Sequence, residues 1–154
     1  MTAVTLEAIE AKQTELAALI TKFKTQPAAG PVLHRYREAE IELFPGERYA
    51  GMVLDQDGTL LHHLVLMAQR PNGKLNWKDA TAWAESIVGT LPNRQEQALL
   101  YANCKPHLKP EWHWSSETHE EDASYAWNCY FIYGHQGYYH KSYDGCAVAV
   151  RRIL

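Results

Sequence analysis

Positive charge is almost missing from the last third of this chain. Between Trp112 and Tyr143 only Lys141 is a lysine or arginine. Over all 154 residues the formal net charge is -3, so there is no basic stripe to neutralise a phosphate backbone, and a nucleic-acid partner is not expected. Arg151 and Arg152 near the end do not change that. Cysteine is scarce: three residues, Cys104, Cys129 and Cys146, with no CxxC pair. An odd count points to free thiols in a reducing compartment; the alternative is a Cys129–Cys146 disulfide. No apolar run approaches the roughly 18 residues that span a membrane. The start, MTAVTLEAIEAKQ, is acidic and lacks a basic n-region with an apolar stretch, so no secretion signal is expected.

Catalytic signatures are also absent. There is no G-x-S-x-G, no phosphate-cradling glycine loop and no H-E-x-x-H, and no enzyme is expected. Ser115-Ser116 beside His113 resembles a nucleophile with a base, but neighbours on a strand face opposite ways. Trp114 in the core, with the serines in strand hydrogen bonds, is the simpler reading. Metal ligands are present but unpatterned. Glu117, Glu120, Glu121 and Asp122 form an acidic run that fits a solvated loop better than a calcium site. His113, His119, His135 and His140 would have to converge to bind zinc. His62 and His63 on one strand point apart. Neither metal nor cofactor is expected.

Aromatics are what the chain has in abundance. It holds nine Tyr, five Trp and three Phe, and ten of these lie between Trp112 and Tyr143. Val, Ile and Leu would dominate an ordinary core. Tyr mixed with Ser, Gly, Asn and His is instead the composition of a recognition surface. The reading is a binding module.

The residues predict an α+β layout. Thr5 can cap a helix over 6–25, rich in Ala, Leu, Glu and Lys. Leu6, Ile9, Leu16, Ile20 and Phe23, with Gln13 in the gap, alternate three and four as a coiled-coil seam does. Leu19 widens the stripe, so packing on the same chain stands as the alternative. TQPAAGP at 25–31 reads as a hinge. A hairpin pairs 46–54 with 59–67 around Asp55-Gln56-Asp57-Gly58. One helix starts near Asn76 and carries Trp77, Ala80, Trp83, Ala84 and Ile87 at helical spacing. Another starts at Asn93, with Glu96 completing a capping box and Leu99, Leu100 and Tyr101 inward. Short strands follow near 112–116, 125–133, 138–143 and 147–153, with GHQG at 134–137 and Asp144-Gly145 as turns. Domain boundaries are set at 1–26 for the helix, 27–45 for a linker and 46–154 for the domain.

Five segments together carry a resemblance: the helix led by Trp77, Leu91-Pro92-Asn93 with Glu96, Trp114-Ser115-Ser116, Ala126-Trp127 with Phe131 and Gly134, and Val148 to Arg151. In this order they resemble the DUF1566 (Lcl C-terminal) family in its phage and prophage version. The likeness covers roughly 46–153; Asn93 stands where that family usually has Thr, and both cap helices. The resemblance implies a C-type-lectin-like fold, two helices with short antiparallel strands, behind the N-terminal helix. It also implies ligand-binding or receptor-binding relatives, often trimeric. Calcium-dependent lectins carry Glu-Pro-Asn or Gln-Pro-Asp, which this chain lacks. Cys129 and Cys146 are too far apart to imitate the cysteine pair of formylglycine-generating enzymes of similar fold.

On that basis Trp127 and Phe131 belong to the core, and the opposite face binds. The expected ligand-binding residues are Asn128, Tyr130, Tyr133, His135, Tyr138, Tyr139, His140, Tyr143 and Asp144. The expected function is non-enzymatic recognition of a protein or glycan by a phage or prophage protein, in the host cytoplasm or the virion. The alternative is an intracellular phage protein that binds and inhibits a host defence factor. Further copies of the chain are expected partners, a trimer by family analogy; nucleic acid and membrane are not. Many residues here are reachable from the Asn codon AAC by changing only adenines: Asn128, Cys129, Tyr130, Ile132, Tyr133, His135, Gly137, Tyr138, Tyr139, His140, Tyr143, Asp144, Gly145 and Cys146. Trp127, Gln136 and Lys141 are not. Targeted-diversity systems vary a lectin-like face in this way.

Overall fold

A computed structural model describes residues 3–26, 30, 31, 33 and 39–154. Among the described residues the chain is α+β, with three α-helices and two small antiparallel sheets. It divides into two compact units, Met1–Arg37 and Glu38–Leu154. Residues 27–29, 32 and 34–38 of the expected linker lie outside the described residues.

The first unit contains α1, Leu6–Thr25. Thr5 Oγ1 accepts the Ala8 N–H at 3.2 Å, satisfying one of the orphan donors of the first turn. Glu7 near the start and Lys22 and Lys24 near the end complement the helix dipole. No residue of α1 is buried, and the seam from Leu6 to Phe23 is exposed. No helix among the described residues is long and apolar enough to cross a membrane.

In the second unit, β1 (Arg48–Leu54) and β2 (Leu60–Leu66) form the expected hairpin. Asp55 Oδ1 accepts the N–H groups of Asp57 and Thr59, an Asx turn that fixes the register. β6 (Val150–Ile153) adds to the free edge of β2, giving the order β1-β2-β6. The second sheet is β3 (Trp112–Thr118), β4 (Tyr125–Tyr130) and β5 (Gln136–His140), with β4 central. β4 is shorter than the expected 125–133. Phe131 leaves it in a turn, and Gly134 N donates to Tyr130 O. Gly134 holds a positive φ of 79°, and a Cβ there would sit 2.6 Å from the Tyr101 ring, so glycine is required on both counts.

Helix α2 (Trp77–Ser86) starts beside Asn76, close to the expected position, and α3 (Arg94–Cys104) starts at its expected cap, Asn93. Asn76 Oδ1 accepts the Asp79 N–H. Two amides lash α3 to β1: Gln95 Nε2 donates to Leu54 O at 2.8 Å and Asn103 Nδ2 to Ala50 O at 2.6 Å. Two apolar clusters result. One joins Leu64, Leu66, Val148 and Val150 to Leu100, Cys104, Cys129 and Phe131. The other packs Ala80 and Ala84 of α2 on Trp114, Ala126, Ala147 and Ala149. Residues 145–150 are all buried. This segment serves as a strut, since Gly145 pairs with Leu75, Trp114 N donates to Cys146 O, and Met67 N donates to Ala149 O. All three cysteines are free and buried.

Part of the expected linker is tied to the second unit. Arg151 donates to both carboxylate oxygens of Glu47, at 2.8 and 3.0 Å, and to Glu42 O at 2.6 Å. Its guanidinium also faces the Phe44 ring.

Glu96 joins the elements. It is fully buried. One oxygen accepts the Asn93 N–H at 2.9 Å, closing the capping box. The carboxylate also accepts Arg152 Nε and Nη2 at 2.8 and 2.6 Å, and His62 Nε2 at 2.9 Å. Burial alone would raise its pKa. The Arg152 guanidinium, the Asn93 amide and His62 outweigh that and hold it below the usual carboxylate range. His63 points the other way and meets the Tyr49 hydroxyl at 2.8 Å.

Glu96→Gln is therefore predicted to lower the unfolding free energy by about 1.5–3 kcal/mol, the worth of charged hydrogen bonds, because the exposed Arg152 can turn to water once its buried partner is neutral. Since the native pKa is depressed, the ionised form stabilises fully above the unfolded value of about 4.3 and is lost as pH falls through the lower native value. Urea unfolding across that acid range should show a flatter pH dependence for the variant. A loss under about 1 kcal/mol would remove Glu96 from this role.

Candidate functional site

The sheet β3-β4-β5 carries the aromatic residues, and its register decides which of them meet. Trp112 pairs with Tyr130 and Trp114 with Asn128 across β3 and β4. Asn128 pairs with Gly137, Ala126 with Tyr139, and Trp127 with Tyr138 across β4 and β5. Paired residues share a face. One face thus carries Trp112, Trp114, Ala126, Asn128, Tyr130 and Tyr139. The other carries Tyr125, Trp127, Cys129, Tyr138 and His140.

On the first face Trp112 lies between Trp114 and Tyr139, with both centroid distances 4.8 Å and both pairs edge-on. Gly145 lies beneath Trp112; a Cβ there would stand 2.2 Å from the indole. The Tyr130 and Tyr139 hydroxyls are 3.4 Å apart, and that contact together with burial holds the Tyr139 phenol above its ordinary pKa. His135 stacks on Tyr130 at 4.9 Å.

On the second face Trp127 meets His119 at 4.9 Å, stacked, and Tyr138 at 5.3 Å, edge-on. The Arg94 guanidinium lies 3.6 Å from the Trp127 centroid, a cation–π contact. Arg94 is oriented from several sides. Its Nε donates to Gln136 Oε1 at 2.8 Å and Gln136 Nε2 donates back to Arg94 O. Glu117 accepts the Arg94 N–H at 2.7 Å, and Glu120 stands 3.8 Å from Nη1. Tyr125 continues the row, edge-on to Tyr138 and His140.

The two faces join around the edge strand β5. Tyr143 lies in the turn after it, 6.0 Å from Tyr139 on one face and 6.3 Å from His140 on the other. The rings form one continuous band from Trp114 to His119, with Tyr138 and Tyr143 half exposed.

Of the nine residues expected to bind, six lie in or beside this band: Tyr130, His135, Tyr138, Tyr139, His140 and Tyr143. Tyr133 sits at the exposed tip of the β4–β5 turn, and Asp144 is exposed beyond β5. Asn128 does not face outward. It is 1 % exposed, because its strand phase matches Trp114 and not Trp127. Both faces of β4 carry buried residues, Ala126 and Asn128 on one and Cys129 on the other; Trp127 is only half-buried, on the arginine-bearing face, while Phe131 reaches the core, as expected, from the turn. Cys129, Gly145 and Cys146 are buried too, so with Asn128 they are unsuited to diversification.

Arg94 and His119 were not among the expected residues. Arg94 reads as an ordinary first-turn residue after its cap. His119 is positioned by the loop that returns β3 to β4, where its N–H donates to Tyr125 O. The histidines do not converge: His113 packs on Phe131, His135 on Tyr130, and His119 on Trp127. Among the described residues no three His, Cys, Asp or Glu side chains stand close enough to share a metal ion. Ser115 is buried and its Oγ accepts the Glu117 N–H. No family model and no curated protein matches this chain.

Neither amide atom of Asn128 has a hydrogen-bond partner among the described residues. A buried unpaired amide costs stability that an apolar side chain of similar size does not. Asn128→Val is predicted to raise the unfolding free energy by about 1–3 kcal/mol in denaturant titrations. A destabilised variant would reveal that the amide is satisfied.

Proposed function

We propose that the second unit is a non-enzymatic recognition domain whose ring band around β5 binds a protein or glycan. The continuity of that band carries the reading. Its outer rings, Tyr138 and Tyr143, present apolar area with hydroxyl tips, and each is backed by rings already packed. Little side-chain entropy is lost on binding such a surface. Arg94 on Trp127 adds a fixed cation within the band. The α+β layout with Trp114, Trp127 and the Glu96 capping box supports placing the domain with the phage and prophage DUF1566 proteins of C-type-lectin-like fold. α1 would supply self-association, since a seam with three- and four-residue spacing and no buried residue gains its burial from further copies. A trimer follows the family analogy. Diversification of the face would then be confined to the positions the fold leaves open, Tyr130, Ile132, Tyr133, His135, Gly137, Tyr138, Tyr139, His140, Tyr143 and Asp144.

Tyr138→Ala with Tyr143→Ala is predicted to abolish the hits that the full chain gives on a glycan array or in a host-protein capture. Its melting temperature should hold, since each exposed change is worth within about 0.5 kcal/mol. A folded double variant that keeps every hit would sink the band as the binding surface. Deleting residues 1–26 should lower the mass seen in light scattering; an unchanged mass would remove α1 as the association element. In the gene, the open positions should carry codons ending in C, with a near-identical adenine-rich copy nearby. Mixed third bases would reject diversification and leave the binding reading standing.

A further inference from the structure

A cavity of about 480 Å3 lies between the loop after β2 and the segment before β3, and no ring of the aromatic band lines it. Arg70, Lys74, His107 and Lys109 line it, with His113 and Cys146 among its buried walls. In a chain of net charge -3, Arg70, Lys74 and Lys109 together are a local concentration of cations. Lys74 is paired with Glu111 at 2.9 Å. Arg70 and Lys109 have no carboxylate within ion-pair distance among the described residues. The Arg70 guanidinium is nonetheless held in place, donating to Met67 O, Gln69 O and His107 O at 2.6, 2.8 and 3.3 Å. A guanidinium oriented by carbonyls and lacking a counter-charge is preorganised for an anion.

His113 adds a second requirement. It is 2 % exposed. Its Nδ1 lies 2.9 Å from Glu111 O, so Nδ1 carries the proton. Burial pushes its pKa down to about 4, and the ring is neutral near pH 7. Nε2 is then a lone-pair acceptor, with no hydrogen bond from the described residues. An acceptor at a buried wall asks for a donor on the ligand. Pro106, Leu108 and Pro110 give the cavity apolar sides, and its volume suits a small molecule.

We propose that this cavity binds an acidic sugar, its carboxylate meeting Arg70 and Lys109 and a ring hydroxyl donating to His113 Nε2. Inorganic phosphate satisfies the cations but not the apolar walls, and a neutral sugar leaves the cations unpaired. The site is separate from the ring band and does not depend on it.

The test is calorimetric titration of the full chain with D-glucuronate, N-acetylneuraminate, D-glucose and inorganic phosphate. At least one acidic sugar should bind saturably, with glucose silent and phosphate weaker. Arg70→Gln and Lys109→Gln, both at exposed positions, should each weaken that binding roughly tenfold, the worth of one charge-assisted hydrogen bond. The His113 Nε2 resonance in nitrogen-15 spectra should shift on addition of the acidic sugar. Silence of both acidic sugars, phosphate binding as tight as theirs, or an unmoved His113 resonance would each overturn the assignment.

Discussion

The buried carboxylate of Glu96 is the constraint on which the rest of the second unit depends. It answers three groups from three elements: the first turn of α3, Arg152 on β6 and His62 on β2. Each alone would be a modest contact. Together they satisfy a charge that burial would otherwise expel. The geometry of one side chain thereby fixes where α3 begins against the first sheet. Arg94 follows the cap directly, so fixing the helix start also fixes which residue reaches Trp127 on the second sheet. The same carboxylate that secures the fold sets the position of the cation on the aromatic band.

Why the last third is rich in tyrosine follows from the sheet it builds. A three-stranded sheet with a free edge has two faces and a rim, and β5 is that rim. Tyrosine fits both requirements there, with an apolar ring to pack on a neighbour and a hydroxyl that tolerates water. Trp112, Trp114 and Trp127 sit further in, where larger rings fill space. Gly145 and Gly134 make room for rings, one under Trp112 and one beside Tyr101.

Local chemistry was legible in the sequence. The caps at Thr5 and Asn93, the Asp55 turn and the Glu96 capping box depend on neighbours a few residues apart, and all stand where the spacing puts them. The phase of β4 was not legible. Alternation separates Trp127 from Asn128 but does not say which goes inward, and size suggests the tryptophan. The fold buries the asparagine because its face meets Trp114 and α2, while Trp127 finds Arg94. That contact joins residues far apart in the chain, and no spacing rule reaches it. The cationic cavity was hidden for the same reason. Arg70, Lys109 and His113 belong to separate loops and a strand, and their charges look scattered until the chain is folded.

The band and the cavity share a foundation. β3 alternates between them, with Trp112 on the ring face and His113 at the cavity wall. Behind both runs the strut at 145–147: Gly145 accepts the Trp112 ring, and Cys146 and Ala147 line the cavity. Trp114 N donates to Cys146 O, which ties β3 to the strut. Burial and the nearby Glu111 carboxylate push the Cys146 thiol up from its ordinary pKa. A Cβ at 145 would stand 2.2 Å from Trp112, so any larger side chain there would displace the ring. Residues in a shared packing network do not vary independently. The strut therefore has to stay small and buried, whereas the rim positions Tyr133, Tyr138, Tyr143 and Asp144 face water and carry no such packing constraint.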